Sequence, residues 1–329
     1  MKYRAFGKTG IQVSEIVFGC GYVGGLMIHQ DEDTRQATIE MALEQGINWF
    51  DTAASYGKGA SEKNLGRILP HMPQRHHLST KFSVEPSRPE SLESQIRRSL
   101  EASLSRLQMD SVELFQLHNP LLRRVGKTSD TGFQGLQPKD ILKTNGVLDI
   151  LNRLKEEGFF RWIGMTALGD ADACIEVIRS SGFDSAQVYY NLLNPSAGMA
   201  LPESWTGHPF DGLFKACSDA DTAVMNIRVF AAGVIPTDVR HGREIVITND
   251  SSIPEEERRV NRVFKAIGNV YGTRAQTALR FSLAHETIAC VVVGLAEIEH
   301  LQEALEAESQ GGLPEEALSE VSKAYASFS

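Results

Sequence analysis

HLSTKFSVEPSRPESLESQIRRSLEASLSRLQMDSVELFQLHNP, residues 77–120, holds a complete strand–helix–strand unit. HLST (77–80) is a short β-like run. Leu92, Ile96, Leu100, Leu104 and Leu107 then recur at spacings of four, four, four and three, which lines one face of an amphipathic helix. VELFQL (112–117) follows as a second apolar run. Strands joined through a helix belong side by side in a parallel sheet. Lys81 and His118 each stand just beyond an apolar run.

The same alternation extends in both directions. EIVFG (15–19), INWF (47–50), FRWIGM (160–165), SAQVYY (185–190), TAVMNI (222–227) and ACVVVG (289–294) read as strands, which with the two above makes eight. A helix is expected from an N-cap at Asp33, with Ile39, Ala42 and Leu43 on its stripe and Gly46 as its stop. Further helices are expected over 61–69, 147–157, 170–180, 213–219 and 297–307. One long helix carries Val260, Val263, Phe264, Ile267 and Val270 on a single face, and 313–326 reads as an added C-terminal helix. Two polar, irregular insertions interrupt the rhythm, at 119–145 and from the end of SAQVYY through Gly212. Eight units in 329 residues suit an α/β chain closed as a (β/α)₈ TIM barrel, which usually takes about 250 residues before insertions. The expected plan adds an N-terminal β-hairpin and places the insertions at the C-terminal face. No linker or composition shift divides the chain, so 1–329 reads as one domain.

Composition sets milder bounds. The chain is 42% hydrophobic and 23% charged, enough apolar mass for a full core on an ordinary surface. A net charge of −9 disfavours nucleic acid and anionic membranes as partners. Cys20, Cys174, Cys217 and Cys290 are scattered, as expected of reduced thiols in a cytoplasmic protein. No stretch of 18 apolar residues offers a transmembrane span. No metal is expected: His76 and His77 are neighbours at the start of a strand, so they face opposite ways, and no H-x-H strand motif appears.

GCGYVG (19–24) fits G-x-G-x-x-G after a strand, with Asp51 ending the next strand, which is the outline of a dinucleotide fingerprint. That fingerprint needs a helix starting inside the glycine turn, so that its amides face a pyrophosphate. The sequence instead continues GLMIHQDED and places its helix start near Asp33. The glycines read as close backbone approach at a barrel mouth.

Four polar residues gather at strand ends. Asp51 ends the second strand, Tyr56 follows five positions later, Lys81 ends the third and His118 the fourth. In a barrel these ends converge on one face. A free tyrosine has a pKa of about 10, too high for ready proton exchange at neutral pH. A lysine beside it stabilises phenolate, and a carboxylate holds the lysine. A neutral imidazole can hydrogen-bond a substrate oxygen. Taken singly, each has a bland reading: a turn aspartate, a packing tyrosine, a surface lysine, a loop histidine. Together they suit proton delivery to an alkoxide as a hydride arrives.

RAFGKTGIQVS, FDTAASYG, the S-E-x-x-L-G run of Ser61, Glu62, Leu65 and Gly66, STKF, LHNP, IGMT and QVYYN occur in this order through most of the chain. With these motifs the sequence resembles the aldo-keto reductase superfamily, and its shape is similar to the bacterial and plant branch that includes NAD-linked aldose dehydrogenases. The resemblance implies Tyr56 as general acid/base, Lys81 and Asp51 tuning it, and His118 orienting the carbonyl. It also implies NADP(H) or NAD(H) bound across the barrel mouth. For that cofactor it implies Thr166 and Gln187 at the carboxamide, and it puts Arg228 where the family's tyrosine stacks on the nicotinamide, a place a planar guanidinium can fill, with a structural ion pair as the other reading. Val229, Ala231 and Gly233 would meet the pyrophosphate, and Gly294, Ala296, His300 and Glu303 the adenosine end. Tyr22, His29, Trp205 and His208 are candidates for choosing a carbonyl or sugar substrate. The alternative is a cofactor-binding regulatory protein of the same fold, like the potassium-channel β subunits. Oligomeric state is not legible.

Around Gly294 to Glu303 the family's usual cation for the 2′-phosphate of NADP is missing, while Glu297 and Glu299 lie close by. Few cations and extra carboxylates disfavour a dianion relative to a bare ribose. Arg274 or Arg280, from another loop, would have to supply the charge otherwise. NADH is therefore expected to bind at least as tightly as NADPH; a fluorescence titration giving far tighter NADPH binding would reject this.

Overall fold

The computed structural model describes residues 1–124, 132–240, 242–246 and 251–326. Part of the first insertion, 125–131, therefore lies outside the described residues. The N-terminal hairpin pairs β1 (Tyr3–Ala5) antiparallel with β2 (Gln12–Ser14). Eight parallel strands then close into a barrel in sequence order: β3 (Ile16–Gly19), β4 (Trp49–Asp51), β5 (His77–Phe82), β6 (Val112–Leu117), β7 (Phe160–Ala167), β8 (Ser185–Tyr189), β9 (Ala223–Ile227) and β10 (Ile288–Gly294). Closure is made by β10 against β3, from Val291 beside Ile16 to Gly294 beside Gly19. The (β/α)₈ barrel is the architecture the alternation predicts, and the separately expected hairpin precedes it.

The hairpin plugs the end of the barrel opposite the strand C-termini. Phe6 packs on Trp49 with ring centroids 4.7 Å apart, in a cluster with Val13, Val17, Leu114 and Met225. Arg4 ties the plug to the ring, bonding the carbonyls of Leu283, His285 and Ile288. All four cysteines are free and buried.

Most helices fall where periodicity puts them, Leu92–Leu107 among them, and local chemistry explains the departures. The second helix is Glu32–Glu44, capped by Asp31 rather than Asp33, because Asp31 Oδ1 reaches the Thr34 amide at 2.8 Å. The long helix stops at Ile267 before Gly268, so Val270 is 79% exposed instead of extending its apolar face. A further helix, Arg274–Leu283, was not visible in the pattern; its buried side includes Gln276, Thr277 and Ser282, which blurs the apolar stripe. Short helices at Leu26–His29 and Pro138–Leu142 were also unforeseen.

The first of these corrects one step of the glycine argument. A helix does begin directly after the glycines, but it lasts four residues. The closed ring decides against an open dinucleotide-binding sheet. Gly24 is needed for close approach: a Cβ there would lie 2.5 Å from the Leu295 carbonyl oxygen. The Leu26 amide bonds that same carbonyl at 3.0 Å, and Gln30 bonds the Ala296 carbonyl at 2.9 Å.

The S-E-x-x-L-G helix, Ala60–Ile68, acts as a brace under three strand ends. Ser61 donates to the Cys20 carbonyl and lies 2.8 Å from the Thr52 hydroxyl. Buried Glu62 takes Thr80 Oγ1 at 2.5 Å and Arg106 Nε at 2.6 Å. Gly66 lets the helix touch Leu92–Leu107 backbone to backbone, since a Cβ there would sit 2.3 Å from the Arg106 carbonyl oxygen. Gly66→Ala should force the two helices apart and lower the unfolding free energy by about 1–3 kcal/mol, as measured by urea denaturation.

Candidate active site

Parallel register decides which side chains meet at the mouth. Asp51 pairs with Ser79 across β4 and β5, and Lys81 pairs with Gln116 across β5 and β6. Asp51 and Lys81 thus point into the barrel side by side, with Lys81 Nζ 2.5 Å from Asp51 Oδ2. Their side chains are 3% and 0% exposed. A buried ammonium needs acceptors for all three protons. Lys81 has three: Asp51, the Thr52 carbonyl at 2.8 Å and the Tyr56 hydroxyl at 3.2 Å. Tyr56 heads the tight turn Tyr56–Gly59, which its neighbour Gly57 closes with a φ of 58°. The His118 ring stands edge-on to Tyr56 at 5.9 Å, and its backbone amide is held by the Phe82 carbonyl. The four strand-end residues foreseen in the sequence are therefore brought together.

The electrostatics of the group favour one protonation pattern. Burial works against the charge on Lys81, but the Asp51 carboxylate and the Tyr56 oxygen outweigh it and hold the ammonium above its ordinary value. Burial, then the positive charges of Lys81 and Arg228, push the His118 imidazole well below 6.5. At neutral pH it is a neutral hydrogen-bonding group.

A cavity of about 850 Å³ opens over these residues, within the usual range of about 300–1,000 Å³ for small-molecule sites. It reaches from His118 and Phe133 to Thr273, His300 and Glu303. Thr166, Gln187, Arg228, Val229, Gly233, Gly294 and Ala296 also line it, as does Tyr22; Ala231 does not. Gln187 gives its amide nitrogen to Asp51 Oδ1 at 2.9 Å, so it belongs to the polar floor as well as to the wall. Thr166 Oγ1 is buried with no hydrogen-bond partner among the described residues, an orphan polar atom on a residue that lines a ligand-sized space. Arg228 donates to the Ile245 carbonyl at 2.7 Å. Three non-glycine residues of this segment, Arg228, Ala231 and Ala232, take left-handed φ values of 63°, 45° and 57°. Such strain concentrates at ligand clamps.

Three substrate candidates lie elsewhere. Trp205 and His208 are outside the cavity, because the second insertion is stapled onto the ring rather than arched over it. Asn194 bonds the His208 carbonyl, His208 Nε2 meets the Gly169 carbonyl at 2.8 Å, and Trp205 packs beneath the Arg259 guanidinium. His29 packs its ring against Tyr22 at 6.0 Å without lining the cavity. Arg274 and Arg280 do not line it either: Arg274 is paired with Asp238, and Arg280 bonds the Tyr271 and Gly311 carbonyls. Arg243 does line it and was missed; nothing in its local sequence marks it. Ser79 and Gln116 were missed too, although strand alternation places each two residues before a residue already singled out.

Comparison with known proteins decides the family. The model of the Aldo/keto reductase family matches residues 15–326. The chain belongs to the aldo/keto reductase family. Among relatives of this oxidoreductase, L-galactose dehydrogenase of Arabidopsis thaliana is 32% identical over 171 residues, 51% of this chain and 49% of that protein. That match spans about half the relative's length. D-threo-aldose 1-dehydrogenase of Pseudomonas sp is 25% identical, with 88% of each chain covered. Among solved structures, the holo form of aldo-keto reductase AKR11C1 from Bacillus halodurans shares the fold, with a TM-score of 0.72 at 24% identity over 98% of this chain and 96% of that one.

A pH dependence of stability follows from the depressed imidazoles. His118 and His285 both lie below 6.5 in the fold, burial being the leading cause in each. Below 6.5 the unfolded chain takes up protons that the native state refuses, so stability is full above that pH and falls beneath it. Urea midpoints should decline from pH 7 to pH 5 (about two units spanning the free imidazole pKa), and His118→Gln should flatten the decline.

Proposed function

We propose that this family member interconverts a carbonyl and an alcohol with a nicotinamide cofactor, Tyr56 acting as general acid/base. The observation that carries the reading is the full commitment of the Lys81 protons, one of them to the Tyr56 oxygen. That arrangement stabilises negative charge on the phenol oxygen in the oxidation direction and leaves the phenol able to give up its proton in reduction. His118, neutral and beside Tyr56, can hydrogen-bond the carbonyl oxygen and fix its position. Asp51 takes no part in the transfer itself; its charge is spent on Lys81 and on three hydrogen-bond donors.

The cofactor reading is supported by the fit of the wall. Thr166 Oγ1 and the side-chain carbonyl of Gln187 can meet a carboxamide, Arg228 can flank the ring, and the strained backbone of 228–233 can face a pyrophosphate. A nicotinamide bound there supplies or accepts the hydride. At the far end His300, Glu297 and Glu303 face the cavity, which favours NAD or dual use over strict NADP use; the cations lining the cavity among the described residues are Arg228 and Arg243, and Arg243 is the candidate for pairing with a phosphate. One relative is named an NADH-specific methylglyoxal reductase, from Escherichia coli (strain K12), at 29% identity over 59% of this chain. Tyr22, Phe133 and His118 at the mouth suit an aldehyde, ketone or sugar.

Tyr56→Phe removes one hydroxyl and leaves the wall intact. Turnover of methylglyoxal with NADH, or of L-galactose with NAD⁺, should fall by about a hundred- to ten-thousand-fold with cofactor affinity unchanged. A variant that keeps wild-type turnover would exclude Tyr56 as the acid/base. Absence of turnover in the wild type with every pairing, despite cofactor binding, would favour a regulatory role.

A further inference from the structure

Beneath the mouth, Asp51 is held by more groups than pairing with a lysine requires. Its Oδ1 accepts three hydrogen bonds: from Ser79 Oγ at 2.6 Å, Gln116 Nε2 at 2.9 Å and Gln187 Nε2 at 2.9 Å. Ser79 is itself oriented: Trp49 Nε1 donates to its oxygen at 3.0 Å, and its own proton goes to Asp51 Oδ1 at 2.6 Å in preference to the Phe50 carbonyl at 3.4 Å. Gln116 is crowded from the other side. It stands next to Gly164 in the register, and a Cβ at 164 would lie 2.7 Å from Gln116 Cγ. Ser79 and Gln116 are both wholly buried and neither lines the cavity. They are separated from any bound substrate or cofactor by the Asp51–Lys81 pair.

We propose that Ser79 and Gln116 are positioning residues for proton transfer at Tyr56, locking the Asp51 carboxylate from below so that Lys81 keeps one N–H aimed at the phenol oxygen. The inference rests on the reading of Tyr56 as acid/base. Its logic is geometric. A carboxylate held at one oxygen only can rotate about its Cβ–Cγ bond, and the ammonium follows it. With Oδ1 held by three donors and Oδ2 by Lys81, rotation would break every bond at once. The third lysine proton then has a fixed direction, toward Tyr56. Gln116 Oε1 has no partner among the described residues, so the residue's amide nitrogen, and not its carbonyl, is the part in use. The other titratable and charged groups around this cluster are His118 and Arg228 on the cavity side, and below them the thiols of Cys20 and Cys290, both pushed upward by burial and then by the Asp51 charge.

The test uses the full chain with NADH and methylglyoxal, and with NAD⁺ and L-galactose, taking whichever pair turns over. Gln116→Met keeps the side-chain length and removes the donor; Ser79→Ala removes the other. Each should lower kcat ten- to a hundredfold while KM and the cofactor Kd, from tryptophan quenching, stay within twofold. Gln116→Glu supplies the readout that packing alone would not move. Its introduced carboxyl can donate to Asp51 only when protonated, and burial beside the Asp51 charge favours the protonated form, so at pH 5.5 its kcat should lie within about threefold of wild type, far above that of Gln116→Met. A Gln116→Glu kcat still at the Gln116→Met level at pH 5.5, or kcat within twofold of wild type in Gln116→Met and Ser79→Ala, overturns the proposal. If Tyr56→Phe abolishes turnover while these variants do not, only the positioning role fails. If Tyr56→Phe retains turnover, or the wild type acts on neither probe, the underlying reading fails and the proposal falls with it. Should Ser79→Ala not fold, because Trp49 loses its acceptor, the two Gln116 variants decide alone.

Discussion

A lysine ammonium with no exposed side-chain surface is the most demanding group in this molecule. Removing such a charge from water is tolerable only when a counter-ion and hydrogen bonds replace the lost hydration. The barrel meets that condition by register. Asp51 and Lys81 come from neighbouring strands, the Thr52 carbonyl turns inward just past the end of β4, and the brace at Ala60–Ile68 keeps that turn in place. The tight turn carrying Tyr56 then closes the remaining side of the ammonium. Ring closure, brace and turn thus serve one buried ion pair, and the cavity above inherits its polar floor from them.

The barrel was legible because its strands are buried on both faces and read as short apolar runs at regular intervals. VELFQL matches its strand residue for residue, and Leu92–Leu107 its helix. What escaped were elements held by polar contacts. Arg274–Leu283 begins with a capping box between Thr273 and Gln276 and buries amides and hydroxyls, so no clean stripe announces it. Leu26–His29 is too short to show a period, and its presence means that a late helix start was the wrong ground for rejecting the glycine fingerprint, though the rejection holds.

At the candidate site the sequence identified residues whose chemistry is unusual for their place, such as a lysine and an aspartate at the ends of apolar runs. Ser79 and Gln116 carry no such oddity; only the pairing of one strand against the next gives them meaning. Trp205 and His208 show the converse, since their side chains suit substrate contact but Asn194 and Arg259 draw the loop away. Loop paths depend on particular hydrogen bonds, which a linear reading does not contain.

The wall around Gly24 joins the two ends of the chain. The loop after the first barrel strand is bonded to Leu295 and Ala296, just beyond the last one. During synthesis Asp51, Tyr56, Lys81 and His118 all emerge within the first 118 residues, yet the sheet that shields them stays open until 288–294 has been made. A nascent chain therefore keeps the Asp51 and Lys81 charges in water for most of translation, where hydration satisfies them. The enclosed site is complete only once β10 pairs with β3, and a chain interrupted before β10 would hold all four residues without the closed ring around them.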